Sequence, residues 1–402
     1  MQLLLKHLRR LSTPTNKHKI LHNKNHFINL TTDTIKSSSP LFKIISKMLL
    51  GLLEPIQLRI ASHQPRETLR AEFIKFDFMY NTPVESSFKR ELKTMNSETA
   101  FILDVYGGRL TIRFISNDNE LCVKTALIQA ISAFANIING NYDGLLISVS
   151  LDHHVRNVKY PTNDQERLQI IEELKTTSNA FNVSGVTQRS NNCITLTKCQ
   201  EIVKLAYHEL VHYAGLDNEL LSVTIGNFGW DVDVRNFNIS EAYTETVSIV
   251  LNAAFVAIQL AAEFPDMPCD VIYAKLLCLE TKNSLILSAD ILKFYGYNPD
   301  SYRSFFDPER YPQNSKRHHC PIQIWEYVLL RTILLMKLTE VLDLVKESCP
   351  LFKIKQDQIL ILCKILESHD DFIEQLDPLM HGPGNQSVAY SITDLDYGKI
   401  YR

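Results

Sequence analysis

The sequence predicts an α+β protein, with an amino-terminal α/β lobe on a mixed, twisted sheet and a mostly helical lobe after it. Three observations carry that expectation. Between residues 96 and 216, β-rich runs with glycine turn signals alternate with helical patterns. After Gly215 the pattern changes to long helical stretches closed by Pro265, Pro268 and Pro350. A hydrophobic share of 45% over 402 residues supplies a core large enough for both lobes. The expected division is 1–95 as a basic accessory or targeting region, 96–216 as the α/β lobe, and 217–402 as the helical lobe.

The accessory region is set apart by charge. Before Glu54 the only acid is Asp33, against Lys6, Arg9, Arg10, Lys17, Lys19, Lys24, Lys36, Lys43 and Lys47. Over the whole chain the net charge is only -3, which argues against a nucleic-acid-binding design apart from a contact by this basic region. Met1 to Ser12 combines leucines with Lys6, Arg9 and Arg10, a composition compatible with a mitochondrial transit peptide; a basic arm has the same features, and that is the reading adopted. Residues 12–40 carry little periodic apolar signal, whereas Leu41, Ile44, Ile45, Met48, Leu49 and Leu52 follow helical spacing.

In the α/β lobe, Phe101–Tyr106 and Arg109–Ser116 read as strands joined at Gly107-Gly108, since both glycines can take positive φ in a hairpin turn. A helix fits Leu121 to Ile138, stopped by Asn139-Gly140-Asn141, and Leu145–Leu151 is the next strand. Asp164–Lys175 reads as a polar helix, and Cys193–Leu196 as a short strand that could form the sheet edge. The expected order is therefore β-β-α-β-α-β-α. Beyond it, helices are expected over Ser240–Phe264, Val271–Leu279, Ile322–Ser348 and Gln356–Leu376, with a long loop over Tyr297–Pro321.

Eight cysteines are scattered without a CxxC pair or a tight framework, the usage of reduced thiols. Lys43, Lys47, Arg331 and Lys337 interrupt the longest apolar runs, so no membrane span is expected. The expected location is intracellular, either cytoplasmic or virion-associated.

The chemistry concentrates in one helix. It is expected to open at Thr197, with Gln200 completing a capping box, and to close at Gly215 in the C′ position. Within it, His208-Glu209-Leu210-Val211-His212 is an H-E-x-x-H pattern. Spacing of i, i+4 puts both imidazoles on one helical face, within reach of one Zn²⁺. Glu209 projects beside them, placed to take a proton from a water on the metal. Chance alone yields such a pattern in roughly one in forty chains of this size.

A catalytic zinc needs a third protein ligand, and Glu241 and Glu245 follow nearby at i, i+4 on the next helix. By themselves these residues would also suit a solvated acidic first turn favoured by the helix dipole. HELVH followed by Ser240-Glu241-Ala242-Tyr243-Thr244-Glu245 resembles the pattern of gluzincins, the thermolysin-like zinc peptidases. That resemblance implies a zincin-like fold, with Glu241 as the third zinc ligand and Glu245 orienting His208. It covers residues 191–250 and departs from the family where Ser240 replaces Asn, where Glu245 replaces Asp, and where the Asn-Ala-aromatic edge-strand motif is missing. Ser184-Gly185-Val186-Thr187 through Asp217 also resembles uncharacterised metallopeptidase-like proteins of large DNA viruses, more weakly.

The gluzincin resemblance calls for a Tyr or His to stabilise the oxyanion, for which Tyr243, His318, His319 and Tyr327 are candidates, with Tyr327 and His319 carried forward. His318, His319 and Cys320 could instead hold a separate metal, and His153-His154 reads as an exposed turn. The resulting expectation is a zinc metallopeptidase acting on a peptide or protein, with Glu209 as general base. The alternative is a zincin-fold binding or structural protein, possibly viral, without activity. Oligomeric state is not legible from the sequence.

Overall fold

Alternation of apolar and polar residues builds the centre of the sheet. In β3, Gly108–Ser116, the side chains of Leu110, Ile112 and Phe114 are buried while Arg109, Thr111 and Arg113 between them stay at least partly exposed. That is the signature of a sheet with one covered face. Antiparallel to it runs β2, Ser97–Val105, pairing Phe101 with Ile112 and Leu103 with Leu110. Val105 pairs with Gly108, so the turn is centred on Tyr106 and Gly107, one residue earlier than the glycine pair suggested. Gly107 supplies the positive φ of +90°, whereas Gly108 is required for close approach: a Cβ there would lie 2.6 Å from Asp143 Cα.

The computed structural model describes residues 2–11, 39–53, 56–60, 97–116, 121–151, 161, 163–176, 185–197, 200–223, 230, 239–262, 264, 266–311, 326–382, 391–396 and 399. Its sheet has six strands in the order β1-β2-β3-β4-β6-β5. β1, Gln57–Ile60, is antiparallel to β2. β4, Leu146–Ser150, runs parallel to β3, and β6, Cys193–Leu196, runs parallel to β4. β5, Gly185–Gln188, closes the sheet antiparallel to β6. The protein is thus α+β with a mixed sheet. Two points differ from the sequence reading. Cys193–Leu196 lies inside the sheet, because β5 covers the side on which it was expected to be bare. The region before residue 95 contributes β1 to the same sheet.

In chain order, the helices begin with α1, Gln2–Leu11, whose Leu4, Leu8 and Leu11 are buried, and α2, Ser39–Leu53, which packs on α3, Leu121–Ile138. They continue with α4, Asp164–Thr176, and α5, Ile202–Tyr213, the helix of the HELVH motif. α6, Ile239–Ala261, and α7, Cys269–Phe294, follow, then the short α8, Arg303–Phe306. α9, Glu326–Met336, α10, Leu338–Val345, α11, Ile359–Glu367, and α12, Asp370–Met380, complete the set.

Several helices depart from their expected bounds. α7 runs well past Leu279, because its polar residues Glu280, Lys282, Asn283 and Asp290 are themselves buried and hide the apolar period. The stretch Ile322–Ser348 breaks at Lys337 into α9 and α10, and Gln356–Leu376 breaks at Ser368-His369 into α11 and α12. The loop expected over Tyr297–Pro321 contains α8, and residues 312–325 lie outside the described residues.

α5 packs between β5 and β6 on one side and α3 and α6 on others, so the motif helix is the joint between sheet and helices. α3 and α6 are long and apolar enough to cross a membrane, but both are mostly buried inside the protein. Each large apolar side chain so buried contributes roughly 1.5–3 kcal/mol relative to exposure.

Candidate metal centre

The motif helix starts later than its sequence suggests. α5 begins at Ile202, and its N-cap residue Glu201 has a φ of 57° with no side-chain cap hydrogen bond, so the Thr197/Gln200 capping box is not used. The local reason is tertiary: Glu201 N–H donates to Asp394 Oδ1 at 3.3 Å, an acceptor that no local pattern reveals. The other end behaves as expected. Gly215 takes a φ of +67°, its N–H donates to His212 O at 3.0 Å, and Leu216 N–H donates to Val211 O at 3.2 Å. This pair of bonds is the Schellman reversal, and it folds the chain back along the helix end.

That reversal has a consequence for His212. Two residues past Gly215, the buried Asp217 places Oδ2 2.8 Å from His212 Nδ1. The Ser240 hydroxyl also donates to Asp217 Oδ2, and Arg189, between β5 and β6, approaches Oδ1 at 3.4 Å. With Nδ1 committed to Asp217, His212 presents Nε2 away from the helix end.

At the start of α6, Glu241 faces both imidazoles. Its Oε2 is 3.2 Å from His208 Nε2 and its Oε1 is 3.3 Å from His212 Nε2, while the two Nε2 atoms are 3.1 Å apart. Bonds of about 2.0–2.1 Å to a tetrahedral Zn²⁺ would put ligand atoms roughly 3.3 Å apart. The three donors therefore already have the spacing that a zinc ion requires, and among the described residues they are the one group so assembled.

Behind His208 sits the buried Glu245, one turn further along α6, with Oε1 3.6 Å from His208 Nδ1. That separation exceeds a hydrogen bond. Glu245 is instead gripped by Lys204 Nζ, 2.8 Å from each carboxylate oxygen, with Arg331 of α9 at 3.8 Å.

The electrostatics divide the carboxylates by role. Burial disfavours ionised Glu245, but Lys204, His208 and Arg331 outweigh it and hold its pKa at about 2. Burial likewise opposes ionisation of Glu241, and the bonded His208 and His212 hold its carboxyl far below the ordinary range. His212 is pulled down by burial, yet Asp217 and Glu241 raise it well above the usual imidazole value. Glu209 goes the other way. Burial pushes its pKa up, only partly offset by His208, His212 and a hydrogen bond from Thr187, and Glu241 adds to the rise. A carboxyl raised in this way binds a proton more readily than an exposed one.

Glu209 is held from the sheet edge. Thr187 Oγ1, on β5, lies 2.8 Å from Glu209 Oε2, and a Cβ on Gly185 would come within 2.6 Å of Glu209 Oε1. β5 thus fits against Glu209 because position 185 carries no side chain.

The oxyanion candidates fare differently. Tyr243 is fully buried with its hydroxyl donating to Phe352 O at 2.5 Å, so it is a packing residue and not free to meet a substrate. Tyr327 is buried in α9, the helix that carries Arg331 to Glu245. His318, His319, Cys320, His153 and His154 lie outside the described residues. Sequence reasoning missed Asp217, Thr187, Lys204 and Arg331. A usable signal existed for Asp217, an acid two residues past a C′ glycine, and for Lys204, one turn before His208 on the same face.

The chain is similar to an uncharacterised protein of Acanthamoeba polyphaga mimivirus, 33% identical over 368 residues that make up 91% of this chain and 93% of the viral protein. No family model matches the chain, and no solved structure matches it.

Proposed function

The chain belongs to the family of that mimivirus protein, and from the chemistry of its candidate metal centre we propose that it is a zinc-dependent metallopeptidase of the gluzincin type, with a zincin-like arrangement of sheet and motif helix. The observation that carries this reading is the His208–His212–Glu241 triangle at zinc-ligand spacing, with Glu209 beside it. His208, His212 and Glu241 would hold the ion, Asp217 would orient His212, and Glu245 would stand behind His208. A bound zinc supplies Lewis-acid polarisation of the scissile carbonyl and lowers the pKa of its water. Glu209 would take a proton from the attacking water and deliver it to the leaving amine, as its raised pKa favours. Thr187 would keep the Glu209 carboxylate aimed. The substrate is a peptide or protein, and the setting is intracellular, in cytoplasm or virion.

The test is zinc stoichiometry by elemental analysis on wild type, His212→Ala and Glu209→Gln, with peptide-library cleavage on the same samples. One zinc per chain in wild type and Glu209→Gln, none in His212→Ala, and cleavage by wild type only is the expected result. Zinc without cleavage would leave a zinc-binding protein that uses the site for a partner. Absence of zinc after reconstitution would remove the reading altogether.

A further inference from the structure

The segment 391–396 enters the core next to the start of α5. Its anchor is Glu280, buried midway along α7, which accepts from the Ser391 hydroxyl at 2.6 Å and the Thr393 hydroxyl at 2.6 Å. The backbone N–H groups of Ile392 and Thr393 add bonds of 3.2 and 3.1 Å to the same carboxylate. Four donors from three successive residues on one buried carboxylate make a specific dock, since each would be costly to bury unsatisfied.

From that dock the segment touches both helices that carry the metal ligands. Toward α6, Asn252 donates to Thr393 Oγ1 at 2.8 Å. Toward α5, Ser391 N–H donates to Glu201 Oε1 at 2.7 Å and Asp394 Oδ1 accepts from Glu201 N–H at 3.3 Å. Glu201 has a left-handed φ of 57°, a conformation that a residue with a Cβ adopts at a cost, so its position depends on such external bonds. On the same helical face, Glu201 Oε2 lies 3.9 Å from Lys204 Nζ, and Lys204 holds Glu245 behind His208. A run of buried polar groups therefore leads from residue 394 toward the candidate zinc ligand, with its Glu201–Lys204 and Glu245–His208 steps at 3.9 and 3.6 Å.

We infer that segment 391–396 is a positioning latch for the metal centre: by bonding Glu201 and Asn252 at once, it sets how α5 and α6 lie against each other. That relative placement determines the spacing of His208 and His212, on α5, from Glu241, on α6. The inference rests on the zinc reading of the site, because the latch matters functionally only if that spacing is used.

The experiment uses the full chain as wild type, Asp394→Ala, Asp394→Asn and Thr393→Val. Zinc affinity is measured by competition with a chromophoric chelator, at a temperature where circular dichroism finds each protein folded. Amide hydrogen exchange is followed over residues 201–213. Loss of a charge-assisted hydrogen bond predicts zinc affinity about tenfold weaker in Asp394→Ala. Thr393→Val should weaken it similarly, both with faster exchange at 201–208, while Asp394→Asn keeps an acceptor and stays near wild type. Should Thr393→Val fail to fold, the two Asp394 variants decide. Wild-type zinc affinity in Asp394→Ala overturns the latch. A wild type that takes up no zinc instead overturns the metal-centre reading, and the exchange comparison then decides the latch on its own.

Discussion

Asp217 Oδ2 lies 2.8 Å from His212 Nδ1, and the same oxygen accepts from Ser240, the residue just before Glu241. One buried carboxylate therefore ties together the second imidazole of the motif and the helix that carries Glu241. Orientation of a metal-binding imidazole through its other nitrogen is commonly worth 10–100-fold in affinity. Asp217→Asn should weaken zinc binding by roughly that factor while leaving the far-ultraviolet circular dichroism unchanged. Unaltered affinity in a chelator competition would show that His212 needs no such partner.

Glu209 should be separable from metal binding on the proposed reading, since its carboxylate is held by Thr187 and faces Gly185 on β5. Glu209→Gln keeps the shape of the side chain and removes its basicity. It should retain one zinc and lose about 10²–10⁴-fold in kcat, the usual contribution of a positioned general base. Parallel loss of zinc would mean that Glu209 is a structural neighbour of the ligands.

The pH profile offers a finer test of the same residue. Burial raises the Glu209 pKa and the Thr187 hydroxyl, by bonding the ionised form, lowers it. A base must be ionised to act, so activity should fall on the acid side as Glu209 protonates. Thr187→Val removes the lowering contribution, and the acid limb of kcat/KM should move to higher pH. A limb that stays in place, or moves down, would contradict the assignment.

Position 185 tests the fit of the sheet edge to Glu209. A Cβ there would fall 2.6 Å from Glu209 Oε1 and 2.8 Å from its Cγ, closer than such atoms approach. Gly185→Ala should therefore push the carboxylate aside, lowering kcat with little change in zinc content. Full turnover in this variant would mean that the Glu209 side chain can shift without consequence.

Much of this architecture was legible in the sequence because its causes are local. Helical period places His208 and His212 on one face, Gly215 has the positive φ that ends the helix, and Leu121–Ile138 begins and ends where its apolar pattern does. Nothing comparable announces β5: four residues, all half-buried, carry no alternation to read. The start of α5 was misread because Asp394, which engages Glu201, is 193 residues away. Lys204 and Arg331 look like ordinary surface cations until α6 brings Glu245 between them. Local propensity marks elements, whereas partners chosen by tertiary packing become visible only once the elements meet.

Those two cations give the last prediction. Lys204 and Glu245 are both buried and bonded at 2.8 Å, so removing one partner leaves a charge without its neighbour in the core. Breaking a buried pair in this way costs about 3–5 kcal/mol, which urea denaturation of Lys204→Met at pH 7 should register. The pH dependence has a definite sign. Glu245 is held at about 2, below its ordinary value of 4.5, so its contribution to stability is complete above 4.5 and is lost as pH falls toward 2. Lys204→Met lets the Glu245 pKa rise, which shrinks that loss. Wild type should therefore lose stability more steeply than the variant as the pH is lowered from 4.5 toward 2, and parallel curves would mean that Lys204 does not set the charge state of Glu245.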